Sequence, residues 1–281
     1  MQPKYKIAII GLGFVGKAVA YGFNNPKIEQ QHIDPKLGTE IIDIHEDTNM
    51  VFVCVPTPMG NFLIIREVME ELLSNIDDTF NPIIIIKSTV TPDIIEEFDH
   101  PNVVYNPEFL KEVSAIEDFL NPQFQVFGGE SDVIDLVEDL FDDYSLCNPT
   151  VTYKMSLQEA SMVKYTINSF LATKVMFFNQ IYDICERLDT NFNVIMNAVG
   201  EDTRIGPGHT KVPGYDGKRG FGGACLPKDT DAFVNMAHDI LGIDALSILQ
   251  EVIKSNNKIR SKYKKDKREK EQNIIYFNKE V

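Results

Sequence analysis

The chain has 281 residues, of which 43% are hydrophobic, enough to bury the core of one or two domains. Its formal net charge of -15 argues against nucleic acid or an anionic membrane surface as the main partner, because phosphate groups would repel it. The cysteines and histidines are scattered without metal-ligand or disulfide spacing, so we expect no metal site and a reducing cytoplasm. With no signal-peptide pattern and no apolar run near the roughly 18 residues of a membrane helix, a soluble, unexported protein is predicted.

The first half of the chain alternates β-rich apolar runs with helical stretches, a pattern typical of a mostly parallel sheet covered by helices. The predicted strands are residues 5–10, 30–33, 50–55, 83–87, 103–105 and 124–127, and the predicted helices are 15–23, 65–76 and 132–144. Several strands are apolar at consecutive positions, as expected for strands buried on both faces. We therefore predict an α/β fold whose sheet domain covers residues 1–152.

A glycine pattern directly follows the first predicted strand. Gly11, Gly13 and Gly16 form Gly-x-Gly-x-x-Gly, and Phe14 and Val15 open the helical segment that comes next. Such a turn lets the backbone approach a pyrophosphate closely and directs a helix N-terminus at its charge. We therefore predict a Rossmann-like, dinucleotide-binding domain in which these five residues contact the cofactor.

An acidic residue stands where the adenosine ribose of that cofactor would lie. Asp34 follows Gly16 by 18 residues and ends the second predicted strand. A carboxylate there accepts hydrogen bonds from the ribose hydroxyls and would repel a 2′-phosphate, so NAD is favoured over NADP. Lys36 comes just after it, and contact with the ribose and simple solvation are both open for its side chain.

The sequence changes character near residue 153. Residues 155–188 contain no proline or glycine and repeat apolar positions every three or four residues, which predicts one helix of about 50 Å. A shorter helix over 191–199, a loop over 200–223 and a helix from 231 to 241 follow. We assign 153–257 to an all-helical domain built on the long helix.

The last part of the chain is strongly basic. Residues 258–272 carry eight Lys or Arg against three Asp or Glu. We interpret 258–281 as a basic C-terminal tail, either a solvated helix end or, as the alternative, an interaction segment.

Cys225 stands in the stretch Gly-Phe-Gly-Gly-Ala-Cys-Leu-Pro-Lys-Asp-Thr, residues 220–230. Lys228 and a helix N-terminus nearby would favour thiolate over thiol, because each places positive charge near the sulfur. From this stretch alone, a reactive nucleophile and a buried structural cysteine both remain open.

Four further segments, taken together with Cys225, resemble the UDP-glucose/GDP-mannose dehydrogenase family. They are Val-Cys-Val-Pro-Thr-Pro at 53–58, Lys-Ser-Thr-Val at 87–90, Asn-Pro-Glu-Phe-Leu-Lys-Glu at 106–112, and residues 159–168 leading into Ser-Phe-Leu-Ala-Thr-Lys-Val-Met-Phe-Phe-Asn at 169–179. All five occur in the family's order, from residue 5 to about residue 255. The resemblance implies oxidation of C6 of a nucleotide sugar from alcohol to carboxylate with two NAD, through a thioester on the cysteine. UDP-glucose is the expected substrate and GDP-mannose the alternative.

The resemblance also implies individual roles around the thiol. Cys225 would attack the C6 aldehyde as the nucleophile. Lys164 and Asn168, four residues apart and so on one helix face, would stabilise the oxyanion at C6. Asp229 would orient or activate water near the sulfur, and Glu108 would serve thioester hydrolysis.

Further contacts are implied in the same way. Thr89 and Glu112 would hold a water used in proton transfer and also contact the cofactor, which Thr57 and Lys228 contact too. Phe109, Leu110 and Gly222 join Glu108, Lys164 and Asn168 as substrate contacts. Arg204 matches an arginine that reaches the neighbouring subunit's substrate, so the resemblance implies a homodimer.

The sequence departs from the family pattern in three places. The loop between Arg204 and Cys225 is long, the segment after the second strand is short, and the third, Rossmann-like domain that usually helps clamp the nucleotide is expected to be lacking. Two functions of other classes remain open. One is a non-catalytic NAD- or sugar-binding module, and the other is a two-electron hydroxyacid dehydrogenase, which needs no nucleophilic cysteine.

Overall fold

A computed structural model describes residues 4–276 of the chain, and these divide into two compact units. Of the described residues, unit 1 comprises those up to Thr57 and Asn61–Lys164, and unit 2 comprises Pro58–Gly60 and those from Tyr165 onward. The division falls within a long helix, α6 (Leu157–Arg187), which contributes residues to both units.

Unit 1 is built on one seven-stranded sheet, which confirms the predicted α/β class. Its strands are β1 (Tyr5–Ile10), β2 (Ile28–Ile33), β3 (Met50–Val53), β4 (Ile83–Ile86), β5 (Val103–Tyr105), β6 (Phe124–Gly128) and β7 (Val151–Met155). Their spatial order is β2-β1-β3-β4-β5-β6-β7. All neighbouring pairs are parallel except β5 and β6, which pair antiparallel through Tyr105 and Gly128.

The strand β7 is absent from the sequence prediction. The predicted sheet domain ends at residue 152, which is the second residue of β7. The five residues of this strand are all exposed or half-buried because β7 pairs with only one neighbour at the edge of the sheet, and the apolar-polar alternation of Val-Thr-Tyr-Lys-Met is too short to mark a strand by itself. An edge strand of this kind lacks the continuous apolar run that identified β3 and β4.

Helices cover the sheet of unit 1. They are α1 (Phe14–Gly22), α2 (Leu63–Ser74), α3 (Pro92–Glu96), α4 (Ala115–Leu120) and α5 (Ser131–Tyr144). The core beneath α1 and α5 is aromatic: the ring of Phe23 contacts Phe52 on β3 and Phe141 on α5, with centroids 5.2 and 5.1 Å away. Each aromatic ring buries a large apolar area, so this cluster stabilises the sheet from whose carboxyl end the loops extend.

Unit 2 is helical, as predicted. It contains most of α6, then α7 (Phe192–Glu201), α8 (Leu226–Leu241), α9 (Ser247–Arg260) and α10 (Lys267–Glu271). The ring of Tyr165 on α6 stacks on Phe233 of α8 at 5.4 Å, and Phe178, Cys185, Phe192 and Met196 form a second apolar cluster between α6 and α7. No helix within residues 4–276 combines the length and apolarity that crossing a membrane would require.

Two sequence interpretations of unit 2 need correction. The helix after the cysteine begins at Leu226 rather than at residue 231, because Pro227 lies in its first turn, where the fixed φ of proline favours a helix start. The basic segment 258–272 is not simply solvated, because Arg260 and Glu269 are both 1% exposed. Residues 277–281 of the predicted tail lie outside the described part of the chain.

Candidate active site

The glycine turn after β1 is tight enough to require glycine at two positions. Gly11 has φ +87°, and a Cβ atom there would lie 2.7 Å from the carbonyl oxygen of Cys54. A Cβ atom on Gly16 would lie 2.0 Å from the carbonyl oxygen of Gly11. Any larger side chain would therefore push the turn away from β3 or from the start of α1.

The N-terminus of α1 is open in the way that an anion site needs. Gly13 is the N-cap residue, no side chain caps the helix there, and no atom lies within 4 Å of the position a Cβ would take. Phe14 and Val15 open the helix, whose first N–H groups have no partners within it. This arrangement fits the pyrophosphate of a dinucleotide.

Asp34 lies at the end of β2 and anchors the same turn. Its carboxylate accepts from the backbone N–H of Leu12 at 2.7 Å and from that of Lys36 at 2.9 Å, while the side chain of Lys36 is exposed. Burial raises the pKa of Asp34, but these hydrogen bonds and the charges of Lys36 and Lys17 outweigh it and leave the pKa below its usual value. The ionised carboxylate retains lone pairs that could accept from ribose hydroxyls.

The carboxyl ends of β3 and β4 meet at the same edge of the sheet. There the Thr57 hydroxyl donates to the carbonyl oxygen of Thr89 at 2.9 Å, and both side chains are buried. The edge where strands of a doubly wound sheet end is the usual place for a nucleotide ligand. Glu112 is exposed at the start of a short helical turn, Glu112–Ser114.

A buried ion pair joins the loop after β5 to α6. The Lys164 ammonium lies 3.2 Å from Oε1 of Glu108, also donates to the Glu108 carbonyl oxygen, and sits 5.2 Å from the ring centre of Phe109. The second oxygen of Glu108 accepts from the Leu110 N–H at 2.6 Å. The structure thus brings together four of the residues that sequence reasoning placed at the substrate.

A buried lysine next to this loop received no role in the sequence analysis. Lys87 donates to Oδ1 of Asn106 at 2.6 Å, and the Asn106 amide donates to the carbonyl oxygen of Val126 at 2.8 Å. Burial lowers the pKa of Lys87 to about 8. Lys87 and Asn106 each open one of the recognised motifs, which was the available signal, and they secure the loop that carries Glu108.

Cys225 is the N-cap residue of α8 in unit 2, and its carbonyl oxygen accepts from the Asp229 N–H at 2.9 Å. The Asp229 carboxylate is 1% exposed and is held on both sides, by the Lys228 ammonium at 2.5 Å and by the Asn168 amide at 2.6 Å. Because α8 starts at Leu226, both Lys228 and Asp229 lie in its first turn. The structure therefore groups a thiol-bearing helix start with a buried cation, carboxylate and amide.

Lys164 and Asn168 are one turn apart on α6, as predicted, but each engages a different carboxylate. Lys164 pairs with Glu108 in unit 1, and Asn168 with Asp229 in unit 2.

Within the described residues of unit 2, the Arg204 side chain contacts Asp202 and not the group around Cys225 and Asp229. Its guanidinium binds Asp202, two residues away, through contacts of 3.0 and 2.6 Å, and its side chain is 86% exposed.

The loop before Cys225 is held by two buried asparagines that the sequence analysis left without a role. Asn179 of α6 accepts from the Gly220 N–H at 3.0 Å. Asn256 of α9 accepts from the Phe221 N–H at 2.8 Å and donates to its carbonyl oxygen at 3.0 Å. Asn179 ends a recognised motif, but nothing local in the sequence points to Asn256.

Two family models match the chain. That of the UDP-glucose/GDP-mannose dehydrogenase family, NAD binding domain, matches residues 31–144, and that of the central domain of the same family matches residues 158–258. The first match confirms NAD as the cofactor predicted for unit 1, and the glycine turn and Asp34 fit such a group.

Individual relatives agree with these matches. UDP-glucose 6-dehydrogenase YwqF of Bacillus subtilis is 32% identical over 231 residues, which is 74% of this chain and 48% of that protein. UDP-glucose 6-dehydrogenase of Campylobacter jejuni is 30% identical over 300 residues, covering 92% of this chain and 73% of that protein. A UDP-glucose dehydrogenase structure from Pyrobaculum islandicum superposes with a TM-score of 0.71 at 26% identity, over 90% of this chain and 68% of that one.

The chain spans about half the length of the Bacillus relative and of other curated relatives that it matches. With the two domain models in order and the Campylobacter relative covered over most of its length, the match includes both units. The chain belongs to the UDP-glucose/GDP-mannose dehydrogenase family.

Proposed function

We propose that the chain is an NAD-dependent nucleotide-sugar 6-dehydrogenase that oxidises UDP-glucose to UDP-glucuronate. Family membership and the names of its relatives support this reaction class. The observation that carries the proposal is the placement of Cys225 at the start of α8, with Lys228 and Asp229 buried in the first turn of that helix. A thiol at a helix N-terminus is in a suitable position to react as a thiolate.

The first oxidation needs a proton acceptor and stabilisation of a negative oxygen. When bound, NAD accepts the hydride that leaves C6 in each of the two oxidations. In this proposal Lys164 and Asn168 donate to the C6 oxygen as it loses its proton, and the proton passes to a water held by Thr89 and Glu112. The product of this step is the C6 aldehyde.

The second oxidation proceeds on the cysteine. The Cys225 thiolate adds to the aldehyde carbon, so a C–S bond forms while the C=O π electrons move to oxygen and give a thiohemiacetal. The remaining C6 hydride would leave to bound NAD as the C=O bond re-forms, which gives a thioester. Asp229 and Glu108 then orient and deprotonate a water that attacks the thioester carbon. The C–S bond breaks with its electron pair on sulfur, which restores the thiolate and releases the carboxylate.

The stoichiometry of NADH tests this sequence of steps. Purified protein with NAD and UDP-glucose is expected to form two NADH per sugar, with GDP-mannose as the competing substrate. Cys225→Ser should lower acid formation by about a thousandfold or more, since loss of a covalent nucleophile is rarely compensated. Cys185→Ser, a buried cysteine of α6, serves as the matched control.

Other outcomes of this experiment identify the alternatives. One NADH per substrate, with no loss in Cys225→Ser, would point to a two-electron hydroxyacid dehydrogenase. Binding of NAD without turnover of any nucleotide sugar would indicate a binding module.

A homodimer is the second part of the proposal. Phe170, Phe177 and Ile184 repeat every seven residues along α6 and are each more than half exposed, an apolar stripe suited to a second copy. Arg204 would then serve the neighbouring subunit's substrate. We place the protein in the cytoplasm because its scattered cysteines suit a reducing compartment.

Mixing two inactive variants tests a shared site directly. If Arg204 acts across the dimer, Arg204→Ala and Cys225→Ser protomers combine into a heterodimer with one intact site. Random reassociation should then recover about a quarter of wild-type activity. No recovery in mixtures that light scattering shows to be heterodimeric would overturn the role of Arg204 in the partner's site.

A further inference from the structure

The stretch before the catalytic cysteine, Gly220–Cys225, here called the cysteine loop, lies against three buried side chains from later in the chain. These are Asn256 and Arg260 of α9 and Glu269 of α10, here called the C-terminal clamp, and each is at most 1% exposed. Arg260 and Glu269 lie beyond residue 258, where the match to the family's central domain ends.

Arg260 and Glu269 form the rigid part of the clamp. The Arg260 guanidinium lies 2.5 Å from Oε1 of Glu269 and 2.7 Å from Oδ2 of Asp216. Glu269 also accepts from the Tyr276 hydroxyl at 2.7 Å. The Glu269 carboxylate alone balances the charge of the buried guanidinium, so the Arg260–Glu269 pair acts on its surroundings mainly through shape and hydrogen bonds.

The cysteine loop fits this pair closely. A Cβ atom at Gly222 would lie 1.9 Å from an Arg260 guanidinium nitrogen and 2.6 Å from Oε1 of Glu269. The Gly223 N–H donates to the same Glu269 oxygen at 3.3 Å, and Asn256 binds both backbone groups of Phe221. The glycines of this run permit close contact with buried side chains.

We propose that the C-terminal clamp is a positioning device that fixes where the Cys225 thiol projects at the start of α8. The proposal rests on the function proposed above for Cys225. Only Gly223 and Ala224 separate the clamped Gly222 from the cysteine, so the backbone held by Arg260 and Glu269 determines the direction in which the chain enters α8.

The physical reason is the short range of the helix N-terminus. Its stabilisation of negative charge falls off within the first turn, so a small displacement of the sulfur changes the population of thiolate. An unclamped loop with three glycines would populate many backbone conformations, of which few place the sulfur correctly. The clamp selects one of them without contacting the substrate.

Alkylation of Cys225 by iodoacetamide tests the proposal without NAD or sugar, so its result is independent of the reaction proposed above. The rate is followed at Cys225 by peptide mass spectrometry between pH 5 and 9. Gly222→Ala, which forces a methyl group into the clamp, is expected to lower the rate at pH 7 at least fivefold and to move the pH profile upward. Gly208→Ala is the matched control, because no atom lies within 4 Å of its Cβ position.

A double variant separates positioning from stability. Arg260→Met with Glu269→Leu replaces the ion pair by apolar side chains and avoids leaving one charge buried alone, so the fold is expected to survive. We expect this protein to melt cooperatively, to bind NAD with wild-type affinity, and to show the same slow alkylation with kcat at least tenfold lower. Arg260→Lys, which keeps a cation beside Glu269, should alkylate faster than the double variant but more slowly than wild type. Lys258→Met, which removes an exposed cation of α9, should leave the alkylation rate at the wild-type value.

The opposing result is equally definite. If folded Gly222→Ala and the double variant both alkylate at the wild-type rate with the wild-type pH profile, the clamp only stabilises unit 2 and the proposal is wrong. If both variants show the expected slower alkylation but the wild-type protein oxidises no nucleotide sugar, the clamp is upheld and the proposed function is contradicted.

Discussion

Two glycine-rich turns lead into helices in this molecule, one before α1 and one before α8, and they are supported in different ways. In the first, Gly11 and Gly16 are confined by backbone carbonyl oxygens of Cys54 and Gly11, and the space around Gly13 is open. In the second, Gly220 and Gly222 are confined by the side chains of α9. Glycine therefore serves ligand access in one turn and close side-chain packing in the other.

The difference shows that a glycine-rich turn does not by itself indicate flexibility or a ligand. The supports of the first turn are backbone carbonyl oxygens, one within the turn at Gly11 and one at Cys54, which directly follows β3. The supports of the second are side chains 35 to 46 positions away in the sequence. Four substitutions can break or sharpen this comparison.

The largest effect is expected in the first turn. Gly16→Ala places a methyl group 2.0 Å from the Gly11 carbonyl oxygen, and no flexible side chain is there to move aside. We expect a loss of about 5 kcal/mol or more in unfolding free energy, enough to prevent folding at 37 °C. Urea titration measures it. Gly13→Ala, whose Cβ meets open space, should cost about 1 kcal/mol or less, and a similar loss in both variants would contradict the confinement argued for Gly16.

The second turn should respond next most strongly, through Asn256. Asn256→Ala leaves the buried N–H and carbonyl of Phe221 without partners, at about 1 to 3 kcal/mol each, so we expect a loss of about 4 kcal/mol. Differential scanning calorimetry would show it as a lower melting temperature. Lys258→Ala on the same helix should stay within about 0.5 kcal/mol, and equal melting of the two variants would show that the side-chain support is unimportant.

The loop carrying Glu108 has a third kind of support, the buried Lys87 paired with the neutral amide of Asn106. The dependence of stability on pH tests this support. Because the folded pKa of Lys87 is about 8 against the ordinary 10.5, the unfolded chain binds more protons between these values. Wild-type stability should therefore rise with pH across that window relative to Lys87→Met, by an amount on the order of 3 kcal/mol. Urea unfolding at several pH values tests this, and a constant difference between the two proteins would refute it.

The smallest effect concerns cofactor affinity at the first turn. Asp34→Asn puts an amide group where the backbone N–H groups of Leu12 and Lys36 need an acceptor. We expect the Kd for NAD to rise about tenfold, the equivalent of one charged hydrogen bond. Isothermal titration measures the Kd. The control is Asp47→Asn, which replaces an exposed carboxylate paired with Lys6. Unchanged affinity in Asp34→Asn would show that Asp34 does not contact the ribose.

Much of the fold was open to sequence reasoning because its signals are local. The apolar runs of β3 and β4, the glycine turn and the unbroken pattern of α6 each occupy one short window and were predicted close to their observed bounds. The edge strand β7 was missed because its apolar-polar alternation covers only five residues and it lacks the continuous apolar run of β3 and β4. The start of α8 was placed too late because Pro227 was read as part of a loop.

For the candidate site, the sequence supplied the residues but not their partners. The family motifs singled out Glu108, Lys164, Asn168 and Asp229, and the structure pairs Glu108 with Lys164 and Asn168 with Asp229. No single residue type in those motifs predicts which acceptor a donor takes, because an ammonium or amide binds any nearby oxygen. The pairing depends on how α6 packs against the β5 loop and against α8.

The sequence by itself determined most strands of the sheet, the glycine pattern of the dinucleotide turn and the order of the family's motifs, since each of these signals lies within a short stretch of the chain. Only the tertiary structure decided that Lys87, Asn256, Arg260 and Glu269 are buried supports rather than solvated polar residues. A charged or polar side chain becomes a structural element only when folding brings compensating partners around it, and those partners here are 9 to 46 residues away. The basic segment illustrates this most clearly, because the same charges that suggest a tail also supply the cation that holds the cysteine loop.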